Sequence, residues 1–222
     1  MDKDLESTVM QMAIEEIESK RFGFTGQFLE IHDVVHTNNL PKVDRIDWDK
    51  NDGSAIVYFP IEGERFYLAV FVDTLPEVSV RWVNTESYNC VYFRANSDIL
   101  SLNQLADLTS LKSTGGRSKG DNRGSGQSGI LWKESTLFIE PNPEPDEFED
   151  KLTKLLDYLD QDKPGIQNFV LNYAGYIQVA IEFHNGNTML GGPHIDKELI
   201  KRMGSMDLEI DFDLYARGKF YK

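Results

Sequence analysis

The sequence predicts an α+β protein: an N-terminal helix with an antiparallel β-meander, then a second α/β-alternating unit with helices packed on one face of a sheet. Three observations predict it. The opening segment repeats apolar residues at helical spacing. From there to about Asn96, strand signals dominate: alternation with period two in Val43–Trp48 and Val78–Trp82, and short apolar runs cut by turn residues. Beyond that, helical and strand-like patterns take turns. The chain has 222 residues and 40% apolar content, enough for a core that needs no cross-links. It reads as two units, 1–96 and 97–222, with the boundary near Asn96–Leu100.

In the first unit, Leu5, Val9, Met12 or Ala13, and Ile17 place a helix over Asp4–Lys20, with Gly23 as its stop. Val43–Trp48 alternates, and Asn51-Asp52-Gly53 turns the chain into Ser54–Phe59. Glu62-Gly63-Glu64 precedes Phe66–Val72. Val78, Val80 and Trp82 alternate after Pro76, and Tyr88–Ala95 is read as the meander's last strand.

In the second unit, Leu102, Leu105 and Leu108 mark a short helix, Ser101–Leu108, before a glycine-rich loop, Gly115–Gly129. Leu131–Glu140 is strand-like. Asp146 is placed as the cap of Glu147–Asp160, whose Phe148, Leu152, Leu155, Leu156 and Leu159 share one face. Gly175–His184 is a strand turned by Asn185-Gly186-Asn187. Asp196 caps a helix through Met203, and Leu208–Tyr215 closes the chain.

The formal net charge is −14. Such a field repels nucleic acid and anionic membrane and attracts a basic partner. The N-terminal residues have no secretory pattern and the apolar runs are too short to span a bilayer, so a cytoplasmic location is expected. The one cysteine, Cys90, sits in a strand-like run and is read as a buried, inert thiol.

Three segments could carry chemistry. His32 and His36 are spaced i, i+4, as two zinc ligands on a helix would be. However, Val34, Val35 and Pro41 favour an extended chain, where such residues stand about 13 Å apart. The basic stretch Gly115–Gly126, with Lys119, could cradle phosphate, yet it lacks P-loop spacing and a following helix. In the closing strand, Leu208, Ile210, Phe212 and Leu214 are assigned to the core face. Asp207, Glu209, Asp211 and Asp213 fall together on the other face. These four are the expected partner-binding residues, with Asp44, Asp47, Asp49 and Asp52 as a rival patch. No catalytic residue, metal or cofactor is expected.

From Tyr92 to the end, the chain resembles the bacterial family called domain of unknown function 4279. The resemblance rests on Leu111–Gly120 with its Lys119-Gly120 step, Trp132, the helix Phe148–Leu159 with Leu155-Leu156, and Leu208–Tyr215 ending Asp211-Phe212-Asp213-Leu214-Tyr215. The Gly120–Gly129 stretch is longer and more polar than that family's pattern. The resemblance implies no catalytic residues, since the family has no established activity. By analogy with small acidic bacterial proteins, it points to an immunity protein that neutralises a basic secreted toxin by direct binding. The alternative expectation is a metal-dependent hydrolase or nucleotide-binding enzyme using His32/His36 or Gly115–Gly126.

Overall fold

The computed structural model describes residues 3–48, 50, 52–123, 129–186 and 192–221. Asp49, Asn51, residues 124–128 of the glycine-rich loop and Asn187 of the proposed turn lie outside the described residues. The fold is α+β, as the sequence predicts.

Helix α1 (Lys3–Ser19) turns Val9, Ala13, Ile14 and Ile17 inward. It stops earlier than Gly23 suggests, through Lys20 at φ +51°. Gly23 instead opens a second helix, α2 (Gly23–Phe28), which has no capping side chain of its own. The buried Glu16 of α1 serves it: the carboxylate accepts the Phe22 N–H at 3.0 Å and the Thr25 hydroxyl at 2.6 Å. A small hairpin follows, β1 (His36–Thr37) with β2 (Leu40–Pro41).

The first large sheet is an antiparallel meander of β3 (Arg45–Asp47), β4 (Ser54–Pro60), β5 (Tyr67–Asp73) and β6 (Ser79–Glu86), in that order. One face of β4 and β5 packs under α1 through Val57, Phe59, Leu68 and Val70. The other face holds Ile56, Tyr58, Tyr67, Ala69 and Phe71, against Tyr88.

The second sheet has five strands in the order β11-β10-β7-β9-β8. They are β7 (Tyr88–Ser97), β8 (Gly115–Arg117), β9 (Ser135–Ile139), β10 (Tyr176–His184) and β11 (Ile210–Arg217). Strand β7 corrects the sequence reading. Tyr88–Ala95 was assigned to the N-terminal meander, but it pairs antiparallel with β10 and β9 in the centre of the second sheet. The chain therefore passes from one sheet to the other at Ser87 rather than near Asn96–Leu100.

Helices α3 (Leu102–Ala106), α4 (Phe148–Leu159), α5 (Lys163–Asn172) and α6 (Lys197–Ser205) bury one face of this sheet. Val91, Phe93 and Ala95 of β7 meet Leu152, Leu155, Leu156 and Phe169 there. Asp146 does not cap α4: the N-cap residue is Glu147, with no side-chain cap bond. Asp196 does cap α6, accepting the Glu198 and Leu199 N–H groups at 2.8 Å each. Helix α5 starts after Asp162, whose carboxylate accepts the Gly165 N–H. Its proline lies in the first turn, where an N–H would have no partner anyway.

Gly116 of β8 is where the sheet meets α3 most closely. A Cβ there would stand 2.4 Å from the Leu102 side chain and 2.5 Å from the Thr136 carbonyl oxygen. The loop expectation for Gly115–Arg117 is thus replaced by an edge strand that only glycine lets approach.

Candidate functional site

The face of the five-stranded sheet away from the helices is open, and it carries the polar chemistry. Strand β7 sends Tyr88, Cys90, Tyr92, Arg94 and Asn96 to it, alternating with its buried residues. The registers place Gln178 and then Asp211 beside Tyr92, and Ala180 and then Asp213 beside Cys90. On the other side Phe138 lies beside Arg94, and Gly115 beside Phe138.

One end of this face is acidic. Strand β11 is an edge strand, parallel to β10, and among the described residues it has no neighbour on its outer side. Asp211 and Asp213 are exposed on it, and Asp213 accepts a hydrogen bond from Gln178 at 3.3 Å. Glu209 precedes the strand, and its carbonyl accepts the Ile177 N–H.

Asp207 stands apart from these three. It follows α6 at φ +55° and helps form the helix-ending turn in which the Leu208 N–H reaches the Met203 carbonyl. Ile210 and Phe212 pack on the core as expected, whereas Leu214 is 57% exposed and joins the edge surface. The rival patch is already engaged: Asp44 pairs with Lys42, Asp47 with Arg45 and Lys50, and Asp52 with Arg81.

The opposite end is basic and aromatic. The Arg117 guanidinium lies 3.6 Å from the centre of the Trp132 ring and 5.7 Å from that of Phe138. Arg123 also lies over Trp132, at 4.5 Å. Phe138 meets Tyr92 edge-on at 5.4 Å. Lys119, the phosphate candidate of the glycine-rich loop, donates instead to the Asp98 carbonyl at 2.7 Å.

Cys90 is half-buried beside Glu140, its Sγ 3.4 Å from the carboxylate. Burial, with Glu140 as a second cause, pushes its thiol up to about 11, so it remains protonated near neutral pH.

Two further clusters join the sheets. At one, Lys50 places its ammonium 3.1 Å from Asp47 and 3.0 Å from Asp150, and also contacts Glu147. Arg45 pairs with Asp146 at 3.0 Å. Oxygens of Asp47, Asp146 and Asp150 lie within 4.8 Å of one another, close enough to share a metal ion, but the Lys50 ammonium already stands among them. Glu86, at the crossing to β7, faces this cluster. Burial first, then Glu147, pushes its carboxyl up to about 7.

At the other, His32 and His184 meet with their Nε2 atoms 3.0 Å apart, walled by Phe28, Phe66 and Tyr221. Burial lowers the pKa of both. His36 is exposed on β1, with Nδ1 against the Val34 carbonyl. The i, i+4 spacing therefore does not bring His32 and His36 onto one ion. The partner of His32 lies 152 residues away, and no local pattern could have named it.

The structure thus defines an α+β protein with a helix-covered sheet and an open, chemically divided second face. A family model described as Domain of unknown function (DUF4279) matches residues 85–217, so the chain belongs to that family. The match begins almost where the chain crosses into the second sheet. No curated protein and no solved structure matches the chain. Among the described residues, no helix is long and apolar enough to cross a membrane.

Proposed function

We propose that this is a protein-binding module which docks a basic protein along the acidic edge of its five-stranded sheet. We further propose that its partner is a secreted toxin which it neutralises as an immunity protein. The observation that carries the reading is the placement of Glu209, Asp211 and Asp213 at an open edge strand, beside the exposed Leu214 and Tyr215. An unpaired edge offers backbone donors and acceptors to an incoming strand. Carboxylates held on a rigid strand lose little ordering entropy when they dock. Toxins that attack nucleic acid need Lys and Arg for phosphate contact, which makes their clefts complementary to such an edge.

Charge complementarity acts mainly on association rate. The test looks for a large toxin gene directly upstream, purifies its product and follows association by stopped flow; no such gene and no such binder would overturn the toxin reading. The on-rate should fall at least about 10-fold between low and physiological salt. Glu209→Lys with Asp211→Lys should slow it further while the far-ultraviolet spectrum stays unchanged. Absence of binding, or an on-rate indifferent to salt and to both substitutions, removes the acidic edge as the interface.

A further inference from the structure

The basic end of the open face has an unmet charge. Among the described residues, the Arg117 side chain makes no hydrogen bond or ion pair, and its Nε is buried without a partner. Its guanidinium lies against the faces of Trp132 and Phe138, with the Glu134 carboxylate attracting it from beyond ion-pair distance and Arg94 and Arg123 repelling it. A guanidinium laid flat on rings keeps its N–H fork in one plane and presents it edge-on, the geometry that meets phosphate oxygens two at a time. In a chain of net charge −14, many carboxylates could have paired with it. Its near neighbour Arg94 is tied to Asn96 at 3.1 Å and to Glu134 at 3.6 Å.

Two residues back along β8 from this arginine, and sharing Phe138 with it, the sheet has a hollow of about 240 Å³, lined by Cys90, Tyr92, Thr114, Gly115, Phe138 and Glu140. That is below the roughly 300–1,000 Å³ of sites for drug-sized ligands, so it suits a single ring system. Its walls are the Tyr92 and Phe138 rings, and its floor is open because residue 115 has no side chain. A Cβ at Gly115 would sit 3.8 Å from the Phe138 ring, in ordinary contact, so a larger residue fits the backbone but fills the space. The far end is closed by the Glu140 carboxylate, an acceptor that disfavours a second anion there.

We propose that this end of the sheet binds a nucleoside monophosphate, with the phosphate on Arg117 and the base in the hollow over Gly115, against the edge-to-face pair of Tyr92 and Phe138. An exocyclic amino group of the base donates to Glu140. Along β9, Thr136, which pairs with Arg117, is four residues from Glu140. At about 3.3 Å per residue that is roughly 13 Å, a span an extended nucleoside monophosphate bridges once side chains reach inward from both ends. The site uses neither the β11 edge nor Lys119, so it stands or falls independently of the protein-binding reading.

The test is calorimetric titration of the full chain with AMP, GMP, CMP, IMP, adenosine and inorganic phosphate. An amino-bearing monophosphate should bind saturably below about 1 mM. Adenosine, inorganic phosphate and IMP should each bind at least about 5-fold more weakly, roughly 1 kcal/mol. Arg117→Gln should weaken binding at least about 10-fold by removing a charge-assisted contact. Gly115→Val should do the same by filling the hollow while leaving Arg117 in place. Urea unfolding of each variant establishes that the fold is retained. The proposal is overturned if no monophosphate binds saturably, or if binding survives both substitutions. It is equally overturned if phosphate alone or IMP binds as well as the amino-bearing monophosphates.

Discussion

The central strands of the four-stranded sheet are buried on both faces, whereas β7, at the centre of the five-stranded sheet, is buried on one. In β4 and β5 the buried residues run without a break, Ser54–Phe59 and Tyr67–Val72. In β7 they alternate strictly. The first pattern encloses most side chains of those strands, although Ser54, Ile56 and Phe71 line a hollow of about 540 Å³. The second frees every other residue, and those positions hold Tyr92, Arg94 and Cys90. The comparison teaches where to look for function: on the alternating sheet, whose second face is polar and aromatic yet uncovered.

The largest expected effects separate neighbouring residues on these strands. Phe93→Ala, on the helix-covered face, should cost about 3–5 kcal/mol. Tyr92→Ala, next to it on the open face, should cost no more than about 1 kcal/mol. In the four-stranded sheet the parity should vanish: Phe59→Ala should cost about 3–5 and Ile56→Ala about 2–5 kcal/mol, although they face opposite sides. Urea unfolding of the four variants checks this. A parity effect in β4 as large as that in β7 would break the comparison.

Much of this division is legible in the sequence, because side-chain period and burial are local. The alternation of β7, the unbroken runs of β4 and β5, the apolar face of α4 and the Asp196 cap can all be read from neighbouring residues. What is not legible is which strand pairs with which. Tyr88–Ala95 has the same period whether it extends the meander or founds the second sheet, and only long-range pairing decides.

Helix α5 is not legible in the sequence, where Pro164 and Gly165 resemble a break, although both sit in a first turn that tolerates them. Beyond its period, the site is legible only as composition. The Asp211 and Asp213 placement follows from period two, but the His32–His184 contact and the Arg117–Trp132 stack need the tertiary fold. Asp207 misled because a residue just before a strand can still belong to the preceding helix cap.

The clusters that join the two sheets should respond to substitution and pH more moderately. Asp146 is buried between Arg45 and Lys154, so Asp146→Ala strands buried positive charge and should cost about 3 kcal/mol. The cations hold its carboxyl below the usual range despite its burial. That stability is present above the unfolded value near 4 and is lost as the pH falls through the lower folded value.

The histidine pair has the opposite charge logic. Both pKa values are lowered, so between 6.5 and the folded values the unfolded chain binds more protons and acidification destabilises the fold. Glu86, raised to about 7, works the other way: its folded form holds a proton between about 4.5 and 7, so stability falls as pH rises through that window. In a Glu86→Gln background, stability should therefore decline monotonically from pH 7 to 5, and adding His184→Gln should flatten the decline. An unchanged slope in the double variant would show that the histidines titrate alike in folded and unfolded chains.

The smallest effect on stability is expected at the β11 edge, and its smallness is the informative part. Asp211 and Asp213 point away from the helices and are exposed, and among the described residues their carboxylates make only the 3.3 Å contact from Gln178 to Asp213. Substituting such residues shifts unfolding free energy by about 0.5 kcal/mol or less. They also interrupt an otherwise apolar edge, since Ile210, Phe212, Leu214 and Tyr215 would form a continuous β-prone run without them. Charges on an unpaired edge keep identical chains from adding to one another. Asp211→Asn with Asp213→Asn should therefore leave the unfolding midpoint unchanged while promoting self-association, read as a concentration-dependent rise in sedimentation coefficient. Asp211→Lys with Asp213→Lys restores charge of the opposite sign and should remain monodisperse while losing the basic partner proposed above. If the asparagine variant also remains monodisperse at high concentration, the edge is protected by its geometry. The carboxylates would then have no role in keeping the chains apart, and only the loss of partner binding in the lysine variant could assign them a function.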